Sequence, residues 1–288
     1  ENKMNEKVKI VDCPRDAMQG IHDFIATEDK INHLSLLLEV GFDTIDCGSF
    51  VSPKLIPQMA DTAEVLEAVK DIEHKSLLSV IIANEKGAEL AMKHENVDLL
   101  GFPFSISEEF QLNNTNRSRE EAFQTIQTIQ KELEGTEKEL LIYFSMAFGN
   151  PYQEEWNVDL VKEWAHRFAD IGIKRINLSD TTSVAHIEDV EELFKTLIPQ
   201  YKEIEFGAHF HCEYDNWFSK TNAAYQSGCR RFDGAIKGFG GCPMAKSDLV
   251  GNTPTEKLIT FAESVNAIHG LNLFAFESAY NSAMKVMG

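Results

Sequence analysis

The chain has 288 residues, 43% of them hydrophobic and 19 of them Phe, which is enough to bury a substantial core. Its 46 acidic against 27 basic side chains give a formal net charge of −19; such a surface repels phosphate backbones and anionic lipid and excludes nucleic acid and membrane surfaces as partners. Five cysteines, Cys13, Cys47, Cys212, Cys229 and Cys242, form no CxxC pair, a usage that points to free thiols in a reducing compartment, read here as the cytoplasm. No apolar run reaches the length of a membrane span, and the charged segment 1–7 has no apolar stretch of the kind a secretory signal needs.

In chain order, the pattern predicts a strand over 8–13 and a helix over 28–40, where Ile31, Leu34 and Leu38 share a face and Gly41 ends the element. A strand over 44–47 precedes a helix over 61–70, and strands over 77–82 and 97–102 precede helices over 86–93 and 119–133. The same alternation continues with strands over 140–146, 175–178, 204–211 and 231–236, followed by helices over 158–170, 187–197, 217–227 and 255–268. Gly41, Gly172 and Gly228 each sit between a helix and the next strand, one turn type used three times. Eight such units predict parallel strands with crossover helices, closed into a (β/α)8 TIM barrel, with residues 1–288 as a single catalytic domain. An open doubly wound sheet is the competing fold, but no GxGxxG follows the first strand. The pattern beyond about residue 271 fits neither helix nor strand cleanly.

In this fold the chemistry sits at the C-terminal ends of the strands. Pro14-Arg15-Asp16 follows the first strand, either as a ligand with a cationic clamp or as a surface ion pair. The seventh strand ends in His209-Phe210-His211; residues two apart share a face, so both imidazoles point into the barrel mouth. The bland alternative is a pair satisfied by backbone carbonyls. Gly238-Phe239-Gly240-Gly241-Cys242-Pro243 follows the eighth strand and leads to Gly251-Asn252. A cysteine on a glycine loop is a candidate acid–base group, whereas the other four thiols read as incidental. Asp46 and Ser49 follow the second strand, and Asp180 with Thr181 the sixth; Asp180 also suits a helix cap. Asp16, His209, His211 and Asn252 form a mixed oxygen and nitrogen set that suits Mg2+ or Mn2+ and leaves two positions for a bidentate substrate.

These residues, with the run from Asp46-Cys47-Gly48-Ser49-Phe50 to Met59, resemble the 3-hydroxy-3-methylglutaryl-CoA lyase family of the DRE-TIM metallolyases over roughly residues 7–261. The resemblance implies that Asp16, His209, His211 and Asn252 bind the metal and that Arg15 stabilises the developing enolate. It implies Cys242 on a lid-like loop, aiding proton transfer with His209, and a catalytic role for Asp46, which stands where the family has Glu. Gln19, Ser49, Asp180 and Thr181 are expected to contact an acyl-CoA substrate, and a homodimer is implied, although no interface is legible. Departures cluster at the site: Ala17 for glycine, a shortened Asp12-Cys13-Pro14, Cys212-Glu213 after His211, Met244 for Tyr and one extra residue between Cys242 and Asn252.

The expected reaction is a retro-Claisen cleavage to acetyl-CoA and acetoacetate. Metal coordination acidifies the tertiary hydroxyl, a base such as Asp16 or a histidine removes its proton, and Arg15 holds the enolate charge. Two alternatives stay open: a related aldolase or Claisen-type synthase acting on another acyl-CoA or a 2-oxo acid, and a non-catalytic ligand-binding barrel.

Overall fold

The computed structural model describes residues 6–213, 215–241 and 250–288. Eight strands form one closed parallel barrel: β1 (Lys9–Asp12), β2 (Thr44–Ser49), β3 (Leu77–Ile81), β4 (Leu99–Ser105), β5 (Glu139–Ser145), β6 (Arg175–Asp180), β7 (Glu205–Cys212) and β8 (Arg231–Gly234). Each pairs with its successor, and β8 returns to pair with β1 through Lys9↔Arg231 and Asp12↔Gly234. The predicted TIM barrel is therefore the observed fold. The crossover helices α2 (Thr27–Val40), α3 (Thr62–Val69), α4 (Glu85–Ala91), α6 (Arg119–Glu132), α7 (Val158–Asp170), α8 (Ile187–Gln200), α9 (Trp217–Gln226) and α10 (Thr255–Ser264) form the outer layer.

Local chemistry sets the ends of these helices. Ser118 accepts from the Glu121 amide while the Glu121 carboxylate accepts from the Ser118 amide, a reciprocal cap that starts α6. Asn84 and Asn157 cap α4 and α7. Gly41 takes the left-handed φ of 80° that ends α2. Between helices and strands, Phe104, Phe144 and Phe168 pack with Trp164, ring centroids 4.6–6.4 Å apart. Burying each such ring contributes roughly 2 kcal/mol.

Four further elements depart from the predicted pattern. α1 (Pro14–Gln19) begins with proline at its first position, where no donor is lost, so Arg15 and Asp16 sit on a helical turn rather than in an open loop. α5 (Glu108–Thr115) follows β4, capped by Ser107. The residues past 271 form α11 (Leu273–Met287), which packs on α2. The two-residue strand β9 (Gly251–Asn252) runs antiparallel to β7, with His211↔Asn252 and Cys212↔Gly251. At the other end of the barrel, Lys9, Glu139, Arg175, Glu205, Arg231 and Asp43 form linked ion pairs. No helix among the described residues is long and apolar enough to cross a membrane.

Candidate active site

The C-terminal mouth gathers residues from both ends of the chain. One donor atom from each of Asp16, His209 and His211 lies within 4.8 Å of the other two, and Asp16 Oδ2 is 3.8 Å from His211 Nε2. Asn252 Nδ2 donates to Asp16 Oδ2 at 2.7 Å and to the Phe239 carbonyl at 2.9 Å. Thus the four residues proposed as a ligand set converge. Asn252, however, faces Asp16 through its amide nitrogen, and its oxygen meets a cation there only if the amide turns over.

Both rings are fixed from behind. His209 Nδ1 lies 3.1 Å from Asp233 Oδ2, and His211 Nδ1 lies 3.0 Å from the Thr181 carbonyl. Carboxylate and carbonyl oxygens only accept, so each Nδ1 carries a proton, and each ring in its neutral form presents the Nε2 lone pair. Asp233 is fully buried in the barrel and also accepts from Asn177 Nδ2 at 2.7 Å. Burial lowers the His211 pKa to about 4, so the ring is neutral at physiological pH. Burial also lowers that of His209, but Asp233 and Asp16 together outweigh it and the net shift is upward. Burial raises Asp16, yet Arg15, His211 and His209 together bring it down to about 2. A carboxylate and two neutral-capable imidazoles, oriented by outer partners, fit a hard or borderline divalent cation. A second set, Cys13, His209 and Asp233, also has donor atoms within 4.8 Å of one another, but its Nδ1 and carboxylate are joined by the hydrogen bond just described.

Arg15 borders this set. Asp46 accepts from its Nε at 3.0 Å and its Nη2 at 2.5 Å, while Asp16 Oδ1 and Gln19 Oε1 each accept from Nη1 at 3.0 Å. Burial opposes the guanidinium charge, but Asp46 and Asp16 hold it protonated above the ordinary range. These contacts engage Nε, both Nη1 protons and one Nη2 proton, leaving one Nη2 N–H for a ligand. The carboxylate of Asp46 is wholly buried, and its two bonds from Nε and Nη2 aim Arg15. A register shift in the β2–β3 pair between Asp46 and Gly48 accompanies that placement.

The loop after β8 reaches the site by close backbone approach. Gly240 has φ 83°, and a Cβ there would fall 2.6 Å from the Asp16 carbonyl and 3.0 Å from Asn252 Nδ2. Cys242 lies among residues 242–249, outside the described residues.

The residues expected to contact substrate each have partners within the chain. Both oxygens of Asp180 are occupied, by the Val184 and Ala185 amides and by Lys220 Nζ at 2.6 Å, and the residue is 1% exposed. It shapes the turn after β6 and does not cap α8, whose N-cap is His186. Ser49 Oγ accepts from the Val51 amide inside its own turn. Thr181 Oγ1 accepts from the Met146 amide, and Gln19 Oε1 supports Arg15. Asp233, Asn177 and Lys220 were missed by sequence reasoning. Strand alternation from Arg231 would have placed Asp233 inside the barrel; a lysine in a helix reads as solvated.

A family model described as HMGL-like matches residues 7–282. The mitochondrial hydroxymethylglutaryl-CoA lyase of Macaca fascicularis is 32% identical over 271 residues, covering 93% of this chain and 82% of its own. The crystal structure of the Bacillus subtilis HMG-CoA lyase superposes with a TM-score of 0.92 at 27% identity, covering 98% of this chain and 94% of that one. The HMG-CoA lyase of Acinetobacter baumannii, solved with coenzyme A and 3-methylmalate, gives a TM-score of 0.91 at 28% identity, with 100% and 93% covered.

Proposed function

Because this chain belongs to the HMGL-like family, we propose that it is a carbon–carbon lyase that cleaves 3-hydroxy-3-methylglutaryl-CoA to acetyl-CoA and acetoacetate. The observation that carries the reading is the convergence of Asp16, His209 and His211 beside Arg15 at the barrel mouth. The coenzyme A in the Acinetobacter relative supports an acyl-CoA substrate. Asp16, His209 and His211 would hold Mg2+ or Mn2+, with Asn252 beside them. When bound, such a cation supplies Lewis acidity that makes a substrate hydroxyl acidic near neutral pH.

The chain's own residues account for the rest. Transfer of the tertiary hydroxyl proton to water at the mouth lets the C3–O electrons form the ketone as the C2–C3 bond breaks, leaving the acetyl-CoA enolate. The remaining Nη2 proton of Arg15 donates to that enolate oxygen, and Asp46, Asp16 and Gln19 hold the guanidinium in place beforehand. Asp16, held ionised at low pKa, is a poor base and a good anionic ligand. We assign the proton that completes acetyl-CoA, delivered to C2, to Cys242, on its place in the Gly-Phe-Gly-Gly-Cys-Pro run. The residues act as one catalytic domain, in the cytoplasm; the four described thiols are all free, as a reducing compartment requires.

The test is product analysis with 3-hydroxy-3-methylglutaryl-CoA, with and without chelation. Acetyl-CoA and acetoacetate should form in equal amounts, vanish on chelation and return with Mg2+ or Mn2+. Full activity after chelation would remove the metal; condensation of acetyl-CoA with a 2-oxo acid in place of cleavage would make the chain a synthase.

A further inference from the structure

Lys220 is a lysine on a helix that ought to be solvated, yet it is 2% exposed. Its ammonium reaches under the site and finds three acceptors: Asp180 Oδ2 at 2.6 Å, Ser183 Oγ at 2.8 Å and the His211 carbonyl at 3.3 Å. Three donors meet three acceptors, so the buried charge is fully satisfied. Asp180 in turn accepts from the Val184 and Ala185 amides and so sets the path of the turn 181–185. That turn contains Ser183 at φ 58°, a left-handed conformation that a non-glycine residue holds only when its surroundings enforce it. Ser183 Oγ accepts from Lys220 and from Asn216 Nδ2. The first residue of the turn, Thr181, presents the carbonyl that fixes His211 Nδ1.

We propose that Lys220 is a positioning residue for His211: its ion pair with Asp180 locks the turn whose Thr181 carbonyl holds the imidazole with Nε2 toward Asp16. The inference rests on the proposed reading of His211 as a metal ligand. It gives the metal-facing rings separate supports, Asp233 for His209 and the Lys220–Asp180 pair for His211. Lys220 touches no reacting atom. Its effect passes through the orientation of one ring.

The test substitutes Lys220→Met and measures two things. In the metal-free protein, 15N NMR reports which nitrogen of His211 carries the proton; separately, Mn2+ alone is titrated. The wild-type ring should show only the Nδ1–H form. Lys220→Met should populate both forms and weaken Mn2+ binding by about tenfold to a hundredfold, the usual effect of losing an outer partner of a metal-binding histidine. A folded Lys220→Met protein with the wild-type tautomer and Mn2+ affinity within twofold of wild type overturns the proposal. If the unpaired Asp180 prevents folding, the double variant Lys220→Met, Asp180→Asn removes both charges; wild-type Mn2+ affinity there overturns the proposal, and weakened affinity supports it. Absence of lyase activity in the wild type would sink the catalytic reading and leave the tautomer result to judge Lys220.

Discussion

Asn252 lies directly across an antiparallel strand pair from His211, and its amide also bonds Asp16. A residue far along the chain is thereby placed beside one from the first helical turn, by backbone pairing rather than by side-chain packing. The pairing depends on the glycine loop that delivers β9. Gly240→Ala puts a Cβ against the Asp16 carbonyl at a φ that alanine disfavours. Mn2+ affinity, followed by calorimetry, should fall at least tenfold; an unchanged affinity would show that the loop does not set the site.

Asp233 offers a cleaner perturbation because asparagine has its shape. Asp233→Asn removes the obligatory acceptor for His209 Nδ1–H and frees the ring to adopt the other tautomer. Metal affinity should drop by about 10–100-fold with little change in melting temperature. A large loss of stability with unchanged affinity would make Asp233 a structural residue only.

Arg15→Lys keeps the charge and loses the planar fork that Asp46, Asp16 and Gln19 grip. Without a fixed donor aimed at the enolate, kcat should fall by about 10²–10³-fold while the KM for the thioester moves little. Asp46→Ala should cost stability as well as kcat, since it removes the acceptor of Nε and Nη2 and leaves Asp16 and Gln19 as the partners of a buried guanidinium, at about 3 kcal/mol. Denaturant unfolding measures the second, steady-state kinetics the first.

His33 sets a pH dependence remote from the site. It is 1% exposed, its Nδ1 pairs with Ser282 Oγ, and its Nε2 is buried with no hydrogen-bond partner among the described residues. Burial lowers its pKa from 6.5 to about 4. The unfolded chain therefore binds a proton that the folded chain refuses. Stability attributable to the neutral ring is complete above pH 6.5 and is lost as pH falls toward 4, by about 3 kcal/mol in total. His33→Gln should flatten the loss of unfolding free energy between pH 7 and 5; parallel curves for variant and wild type would refute it.

Sequence pattern carried the barrel because all eight units repeat the same alternation and three of them share the same glycine turn, so local signals agreed along the chain. It also carried His209 and His211, whose shared face follows from strand geometry alone. It did not carry the partners of those rings. Asp233 pairs with His209 across neighbouring strands, Lys220 reaches the turn after β6 from α9, and Asn177 spans to Asp233 inside the barrel. Such contacts depend on barrel closure, not on spacing along the chain. The partners of Asp180 were hidden for a related reason: its amide and ammonium donors come from the turn that follows it and from α9, and only the fold brings them together.

The antiparallel strap of Gly251–Asn252 has a consequence for biogenesis. During synthesis, Asp16 has no Asn252 beside it until 236 further residues have been made, and β1 waits almost as long for β8. Cation binding cannot template the early folding steps; it can only reward a ring already closed. Assembly is therefore governed by distant contacts and should be slow for a protein of this helical content, with partly made chains relying on chaperones rather than on ligand for protection.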